Sequence, residues 1–264
     1  MKISQLLSRR RFGALAGAAA LTGPFAGARA QGQVLRFATE GANPPWNFVT
    51  PQGAVDGIDI QIANALCARM GVRCEVVAQA WDGIIPGLLA RRYDAIIAGM
   101  AMTPARRERV EFTDVYRKII SSFVARKGTV TDVSPAGLRG KRIGVQRGAA
   151  QHVWLQRNGY EATATIVLYD TVAGPHLDLI AGRIDLLIEN KVSNYLIFMQ
   201  RPEAAQFEFV GPEFSGNELG DGAGIAVRKE DNELRERLNR ALAELRADGT
   251  LERIYATRVP FRML

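Results

Sequence analysis

Short apolar runs alternate with longer amphipathic stretches along most of the chain. Nine runs of four to seven residues, rich in Val, Ile, Leu and Ala, predict strands at residues 34–39, 73–78, 94–98, 119–125, 142–145, 166–169, 185–188, 207–210 and 224–227. Apolar residues at helical spacing predict helices at residues 58–70, 82–91, 150–157, 172–181, 192–199, 232–248 and 251–256. Strands that alternate with helices predict α/β layers with largely parallel sheets.

One segment of this pattern recurs 91 residues further along the chain. Residues 88–98 and 179–189 both contain a helix end, a basic turn, an aspartate and a buried strand. The recurrence predicts two similar α/β lobes. The alternative is that the same helix–turn–strand pattern is common to α/β proteins in general. Ligands of open α/β sheets bind beyond the carboxyl ends of the strands, so two facing lobes would share one cleft that a hinge can close.

Residues 1–30 have the pattern of an export signal, with a basic start, a weakly apolar middle and small residues at the end. Residues 8–12 (SRRRF) resemble the twin-arginine motif, and residues 28–30 (ARA) fit a cleavage site that places the mature start near Gln31. A Sec signal with an accidental arginine run is the alternative. No cysteine follows the cleavage site directly, so no lipid anchor is expected.

The positive charge of the chain lies mainly in this leader. Five of the 34 Lys and Arg residues fall in residues 1–30, which contain no acid, and the rest of the chain has 29 bases against 27 acids. A nearly balanced body argues against a nucleic-acid partner. No apolar stretch reaches the roughly 18–20 residues that span a bilayer.

The chain has two cysteines, Cys67 and Cys74, near the end of a predicted helix and the start of a predicted strand. Export to an oxidising compartment permits a disulfide between them, and two buried free thiols are the alternative. Their spacing does not fit a CxxC redox motif. Only His152 and His176 could add ligands, so no metal site is expected.

A basic turn follows the predicted strand that ends at Ala98. Thr103 is a suitable helix N-cap, Pro104 is the favoured first helical residue, and Arg106 falls in the first turn. Because a cation there opposes the helix dipole, an anionic ligand is expected to offset the cost. Arg106 and nearby backbone N–H groups would then clamp a carboxylate. A solvated basic surface turn is the alternative.

Three more segments follow predicted strands. Glu40 could pair with a cationic ligand group, Trp81 could stack on a planar cation, and residues 148–151 could offer N–H groups to an anion. Each also has an ordinary interpretation as a surface turn or a core residue. No nucleophile–histidine pair and no Gly-rich phosphate loop is present, so no catalytic residue is expected.

In this order, the segments resemble the bacterial extracellular solute-binding proteins of family 3, the polar amino-acid-binding proteins of ABC importers. The resemblance covers about residues 34–257. It is carried by residues 38–41 (ATEG), 57–60 (GIDI), 81–86 (WDGIIP), 93–96 (YDAI), 102–106 (MTPAR), 112–113 (FT), 140–145 (GKRIGV), 181–185 (AGRID), 228–234 (RKEDNEL) and 247–250 (ADGT). The segments at Glu40 and Trp81 are most similar to the lysine/arginine/ornithine/histidine and octopine/nopaline branches.

The resemblance implies an α/β, type II periplasmic-binding-protein-like fold. Two lobes, each with a mixed and mostly parallel sheet, would be joined by a hinge of two crossover strands. Residues 33–120 and 216–264 would form lobe 1, and residues 121–215 would form lobe 2. The ligand would lie between the lobes.

The resemblance also implies a set of ligand-binding residues: Glu40, Asn43, Trp81, Ala98, Gly99, Ala101, Arg106, Ala149, Ala150, Gln151 and Asn190. Arg106 would hold the ligand α-carboxylate with the backbone N–H groups of Ala101 and Ala150. Gly99 would offer its carbonyl to the α-ammonium. The glutamate and the tryptophan singled out above would face the ligand side chain.

Several of these positions depart from the family pattern. Asn190 stands where an aspartate usually pairs with the α-ammonium, so an acceptor is kept and the charge is lost. Ala101, Ala149 and Ala150 replace frequent hydroxyl residues, and Asn43 replaces a frequent aromatic. The octopine-type branch also lacks the aspartate, because its ligands carry a substituted amine. These departures predict a carboxylate ligand with a cationic or amide end, such as an N-substituted amino acid.

The expected function is capture of a small, polar, basic amino acid or derivative in the periplasm and its delivery to an ABC permease in the inner membrane. A monomer without a cofactor is expected, and an enzyme is not. The alternative is an enzyme similar to cyclohexadienyl dehydratase on the same fold, with Glu40 or Glu189 as general acid. A sensor domain of a larger receptor is a third interpretation.

Overall fold

The computed structural model describes residues 33–260, so the expected export signal lies outside the described residues. The strands are β1 (Val34–Thr39), β2 (Ala42–Asn43), β3 (Asn47–Val49), β4 (Val55–Asp56), β5 (Arg73–Ala78), β6 (Ala95–Ile96), β7 (Glu111–Phe112), β8 (Ser121–Arg126), β9 (Arg142–Gln146), β10 (Thr165–Tyr169), β11 (Leu186–Asn190), β12 (Phe207–Phe214) and β13 (Ala226–Val227). The helices are α1 (Ile58–Met70), α2 (Trp81–Leu89), α3 (Pro104–Arg107), α4 (Ala150–Arg157), α5 (Ala173–Ile180), α6 (Lys191–Asn194), α7 (Asn232–Ala247) and α8 (Thr250–Ala256).

The first sheet has five strands in the order β5-β1-β6-β13-β7. β1 pairs in parallel with β5 and β6, whereas β13 runs antiparallel to β6 and β7. On one face, Phe37 of β1 shares an apolar core with Leu66 of α1 and Leu242 of α7. On the other face, α2 contributes Ile84 and Leu88. Coverage on both faces explains why the central strands are apolar almost throughout.

The second sheet has five strands in the order β10-β9-β11-β8-β12. β9 pairs in parallel with β10 and β11, and β8 runs antiparallel to β11 and β12. α4 packs against one face through Leu155, which shares a core with Ile143 and Ile188. α5 packs against the other face through Leu179, which contacts the core around Leu187. The two sheets therefore have the same layered construction.

The expected fold class, α/β with two mixed sheets, is confirmed. The expectation that parallel pairs predominate is wrong. In each five-stranded sheet two of the four pairings are parallel and two are antiparallel, and both pairings of the small sheet β2-β3-β4 are antiparallel. The antiparallel pairs involve β7, β8, β12 and β13, which flank the two connections between the sheets. These strands enter or leave a sheet through a connection to the other sheet, so no helical crossover sets them parallel to their neighbours.

The internal repeat occupies equivalent places in the two sheets. The carboxylate of Asp94, just before β6, accepts hydrogen bonds from the backbone N–H (2.9 Å) and the guanidinium of Arg36 in β1. Asp185, just before β11, accepts from the backbone N–H (2.7 Å) and the guanidinium of Arg142 in β9. Each aspartate thereby joins the start of one central strand to the start of its neighbour.

The predicted bounds of β1, β5, α1 and α4 agree with the structure. The predicted strand 94–98 is shorter, because Asp94 binds Arg36 and Gly99 turns the chain with a φ of +62°. The predicted helix 192–199 is α6 followed by a π-helical turn, Tyr195–Met199. β2, β3, β4 and β7 were not predicted, since runs of two or three residues carry no periodic signal.

The two cysteines are neighbours in space. Cys67 of α1 and Cys74 of β5 are both free thiols in the structure, and their side chains are in hydrogen-bonding contact. This contact, together with burial, raises the pKa of the Cys67 thiol above its ordinary value. The expected disulfide is therefore not formed in this structure and stays a prediction for the exported protein.

Within residues 33–260, no helix combines the length and the apolar character that crossing a bilayer requires.

We expect Cys67 and Cys74 to form a disulfide in an oxidising compartment, because the two side chains already touch. Closing this short loop should raise the free energy of unfolding by about 2 kcal/mol, which urea unfolding with and without reductant would measure. Cys74→Ala should abolish the effect of reductant. Two titratable thiols in unreduced, unfolded protein from the periplasm would contradict the prediction.

Candidate functional site

The eleven residues expected at the ligand site all line one cavity. Its empty space, including the open mouth, is about 470 Å³. Glu40 and Gly99 follow β1 and β6, and Gln146 and Asn190 end β9 and β11, so strand ends from both sheets meet here. Six further residues line the cavity: Arg117, Ile119, Gln146, Val172, Glu189 and Ser193.

Arg106 on α3 lines this cavity and is half-buried. The hydroxyl of Thr103 caps α3 by accepting from the backbone N–H of Arg106 at 3.3 Å, as the sequence predicts. The guanidinium Nη1 donates to the carbonyl of Ala101 (2.9 Å), and Nη2 donates to that of Gly148 (3.1 Å). The guanidinium also lies 5.1 Å from the ring centroid of Trp81. Burial lowers the pKa of Arg106 to about 10, so the group stays a cation at neutral pH.

Two buried carboxyl groups face the same cavity. Oε1 of Glu40 accepts from Nε2 of Gln146 at 2.5 Å, and Oε1 of Glu189 accepts from the backbone N–H of Asn190 at 2.8 Å. Burial raises the pKa of each glutamate to about 7, an effect that these hydrogen bonds partly offset. The charge of Arg117 also lowers the pKa of Glu189. Both groups can therefore gain or lose a proton near neutral pH.

Three hydrogen bonds at and beside the cavity join segments that carry different sheets. They join Gln146 to Glu40 (2.5 Å), Arg106 to Gly148 (3.1 Å) and Trp46 Nε1 to Ser193 Oγ (2.8 Å). The walls are thus held together by polar contacts that a ligand could replace or extend.

Asn190 has a role that the sequence did not show. Its Oδ1 caps α6 by accepting from the backbone N–H of Ser193 (2.9 Å) and from its hydroxyl (3.3 Å). The acceptor that the amide was expected to keep for the ligand is therefore already used. Nδ2, a donor, is the atom that remains for a ligand.

The other expected residues differ in what they offer. Nε2 of Gln151 donates to Ser121 Oγ at 2.9 Å, so this amide braces α4 against β8. Ala149 and Ala150 begin α4 without a side-chain cap, and the first N–H groups of a helix have no partner within it. Oδ1 of Asn43 is buried without a hydrogen-bond partner in the described chain. Both features suit an incoming polar group.

Sequence reasoning overlooked Arg117, Gln146 and Glu189 as binding candidates. Gln146 and Glu189 lie at the carboxyl ends of β9 and β11, so a stricter use of the strand-end rule would have found them. Arg117 lies in the connection between β7 and β8, where only the fold shows that it enters the cavity. Within residues 33–260, no group of three or more His, Cys, Asp and Glu side chains is placed to hold a metal ion.

The chain is similar to a known protein family and to several named proteins. The model of the family described as bacterial extracellular solute-binding proteins, family 3, matches residues 35–258. The L-arginine-binding protein of Pseudomonas aeruginosa is 36% identical over 221 residues, 83% of this chain and 85% of that protein. The octopine-binding periplasmic protein of Rhizobium meliloti is 37% identical over 232 residues, 79% of this chain and 78% of that protein. A solved ancestral arginine-binding protein bound to arginine is 33% identical with a TM-score of 0.78, over 86% of this chain and 98% of that one.

We expect the ligand-free protein to lose stability from Glu40 as the pH rises. The carboxyl of Glu40 keeps its proton up to about pH 7 in the folded state, whereas an unfolded glutamate releases it at about pH 4.3. The contribution of Glu40 to the free energy of unfolding therefore falls as the pH rises between these values. Glu40→Gln should therefore resemble the wild type at pH 5 and unfold at a higher temperature than it at pH 8.

The readout is the difference in melting temperature between wild type and variant at each pH, because His152 and His176, whose pKa values burial lowers, act in the opposite direction. Glu203→Gln, at an exposed glutamate, is the control. A difference in melting temperature that is the same at pH 5 and pH 8 would show that the pKa of Glu40 is not raised.

Proposed function

We propose that this chain, which belongs to the bacterial extracellular solute-binding proteins, family 3, binds a basic amino acid or a derivative of one in its cavity. The observation that carries the proposal is the presence of the Arg106 cation and the Glu40 carboxyl in one cavity. Arginine and octopine, which name two of the relatives, each carry a carboxylate and a guanidinium. The two protein groups match those two ligand groups in charge.

Arg106 would bind the ligand carboxylate. Its Nη atoms already donate to two backbone carbonyls, which orients the guanidinium, and each Nη carries a second N–H for the ligand. The uncapped start of α4, at Ala150, adds backbone donors and the positive end of a helix dipole. Charge-assisted bonds of this kind are about twice as strong as neutral ones.

Glu40 would bind the cationic end of the ligand, with Asn43 and Trp81 beside it. The unpaired Oδ1 of Asn43 would accept an N–H, and the indole of Trp81 would cover a planar cation. A cation beside Glu40 favours its ionised form, so binding would lower the pKa that burial has raised. Arg106 and Glu40 would thereby distinguish the carboxylate end of the ligand from its cationic end.

Closure of two lobes would complete the site. We assign residues 33–120 and 216–264 to lobe 1 and residues 121–215 to lobe 2, a division supported by the strands that build each sheet. The two connections between the sheets would act as the hinge. A ligand that bridges Arg106 and Gly148, or Glu40 and Gln146, strengthens contacts made only when the lobes are closed.

The cellular role follows from the family. The chain would be exported by its leader, act in the periplasm as a monomer, and deliver its ligand to an ABC permease in the inner membrane without turning it over. The names of the relatives support the binding role, since each is a binding protein.

A dehydratase-like enzyme is the second candidate. It is favoured by one observation: Glu40 and Glu189 have pKa values of about 7, which suits a general acid. Prephenate and arogenate turnover by the purified protein decides between the two. Turnover that Glu189→Gln abolishes would establish the enzyme, and tight amino-acid binding with no turnover would establish the carrier.

Arg106→Met should weaken arginine or octopine binding by at least about 30-fold, because the carboxylate loses its buried partner. Titration calorimetry measures the change. The neighbouring, exposed Arg107 gives a matched control, and Arg107→Met should leave the affinity within about threefold of wild type, as for a surface charge. Equal losses of affinity in both variants would contradict the assignment of Arg106 as the group that binds the carboxylate.

Asn190→Asp should strengthen binding of plain arginine by about tenfold, or about 1.4 kcal/mol. The carboxylate can still accept from Ser193, and its second oxygen replaces the donor Nδ2 with a charged acceptor for the α-ammonium. Calorimetry with arginine, ornithine, histidine and octopine tests this. Tight binding of plain arginine by the wild type, with no gain in the variant, would contradict it.

A further inference from the structure

Arg117 is a second guanidinium in the cavity, and the proposed binding of a basic amino acid does not use it. Its side chain is almost fully buried, with 2% of the residue exposed. The guanidinium carbon lies 3.7 Å from the ring centroid of Trp46. Stacking uses the face of the guanidinium and leaves the N–H groups on its edge for acceptors in the plane. Two of the edge atoms, Nε and Nη1, have no hydrogen-bond partner among the described residues.

Unpaired charged donors out of contact with water are costly. The nearby carboxyls act on Arg117 through their charge, because it lowers the pKa of both Asp59 and Glu189. The oxygens of Asp59 are bound by Asn47 Nδ2 (2.8 Å) and Tyr116 Oη (3.0 Å). An acceptor from outside the protein would therefore complete the hydrogen bonding of Arg117.

The place of Arg117 in the cavity is the amine end of the expected ligand. A Cβ on Gly99 would lie 1.9 Å from Arg117 Nη2, so the guanidinium packs directly on the residue whose carbonyl was expected to accept from the α-ammonium. Trp46, which stacks on Arg117, donates to Ser193 Oγ, and Ser193 holds Oδ1 of Asn190. Asn190 thus adds the donor Nδ2 to this end of the cavity.

Donors and a cation are poor partners for a free ammonium and good partners for a carboxylate. Resting on the proposed function, we propose that the ligand carries a second acid group and that Arg117 binds it. The matching class is a basic amino acid whose α-amine bears a carboxyalkyl substituent. Its two carboxylates pair with Arg106 and Arg117, and its two cationic groups face Glu40 and Glu189.

Three ligands tested by titration calorimetry on the wild-type protein separate the parts of this inference. Arginine has one carboxylate and a free amine, Nα-methylarginine has a substituted amine and no second acid, and octopine has both the substituent and the second acid. Octopine should bind at least tenfold more tightly than either of the others. Octopine affinity no higher than that of Nα-methylarginine would overturn the inference.

Two substitutions test the residue itself. Arg117→Met should weaken octopine binding by at least 30-fold and change the affinity for arginine by less than threefold, since only octopine supplies the second acid. Arg117→Lys keeps the charge and should recover part of the octopine affinity, and Arg107→Met is the surface control. Equal weakening of octopine and arginine would show that Arg117 only supports the fold of the site.

Failure of the inference is distinct from failure of the proposed function. Tight binding of arginine with weaker binding of octopine would overturn the proposal that the ligand carries a second acid group, and would leave the carrier function standing. Binding of none of the three ligands would overturn the carrier function as well. Melting curves confirm that each variant is folded, and where Arg117→Met is not, the wild-type ligand series and Arg117→Lys decide.

Discussion

The cavity depends on one cation, the guanidinium of Arg106. Its two Nη atoms donate to Ala101 and Gly148, which belong to segments that carry different sheets, so one side chain joins both walls. Burial lowers the pKa of this group and still leaves it charged at neutral pH. In the proposed function, a carboxylate that adds to the same fork would strengthen a contact across the walls. Binding and closure would therefore be coupled through one set of hydrogen bonds.

The other charged groups of the cavity balance this cation. Burial makes ionisation of Glu40 and Glu189 costly, while the charge of Arg117 makes ionisation of Glu189 easier. The cavity holds two guanidinium groups, Arg106 and Arg117, and two carboxyls whose pKa values burial raises to about 7. In the proposed function, a ligand with cationic groups would shift both carboxyls towards their ionised form. Selectivity would then depend on charge balance as well as on shape.

The layered fold was largely predictable because it depends on local patterns. Apolar runs and amphipathic stretches identified β1, β5, α1 and α4 with the bounds that the structure has. The repeated aspartate predicted that the two sheets share a construction, and Asp94 and Asp185 do bind equivalent arginines. The antiparallel strands near the crossovers were not predicted, because pairing direction depends on how distant segments return to a sheet.

The site shows the same division. Strand ends and helix starts indicated a few candidate residues, and the resemblance to a family supplied the rest of the eleven. They line one cavity because the carboxyl ends of strands from both sheets meet there. What Asn190 offers a ligand could not be read from its identity, since that depends on which of its two side-chain atoms caps α6. Arg117 carried no signal at all, because its stacking partner is far away in the chain and its environment exists only after the sheets assemble. The sequence by itself determined the elements, their alternation and the chemistry available at their ends. Only the tertiary structure decided which charges are buried together, because burial and pairing arise between residues that the chain brings into contact from a distance.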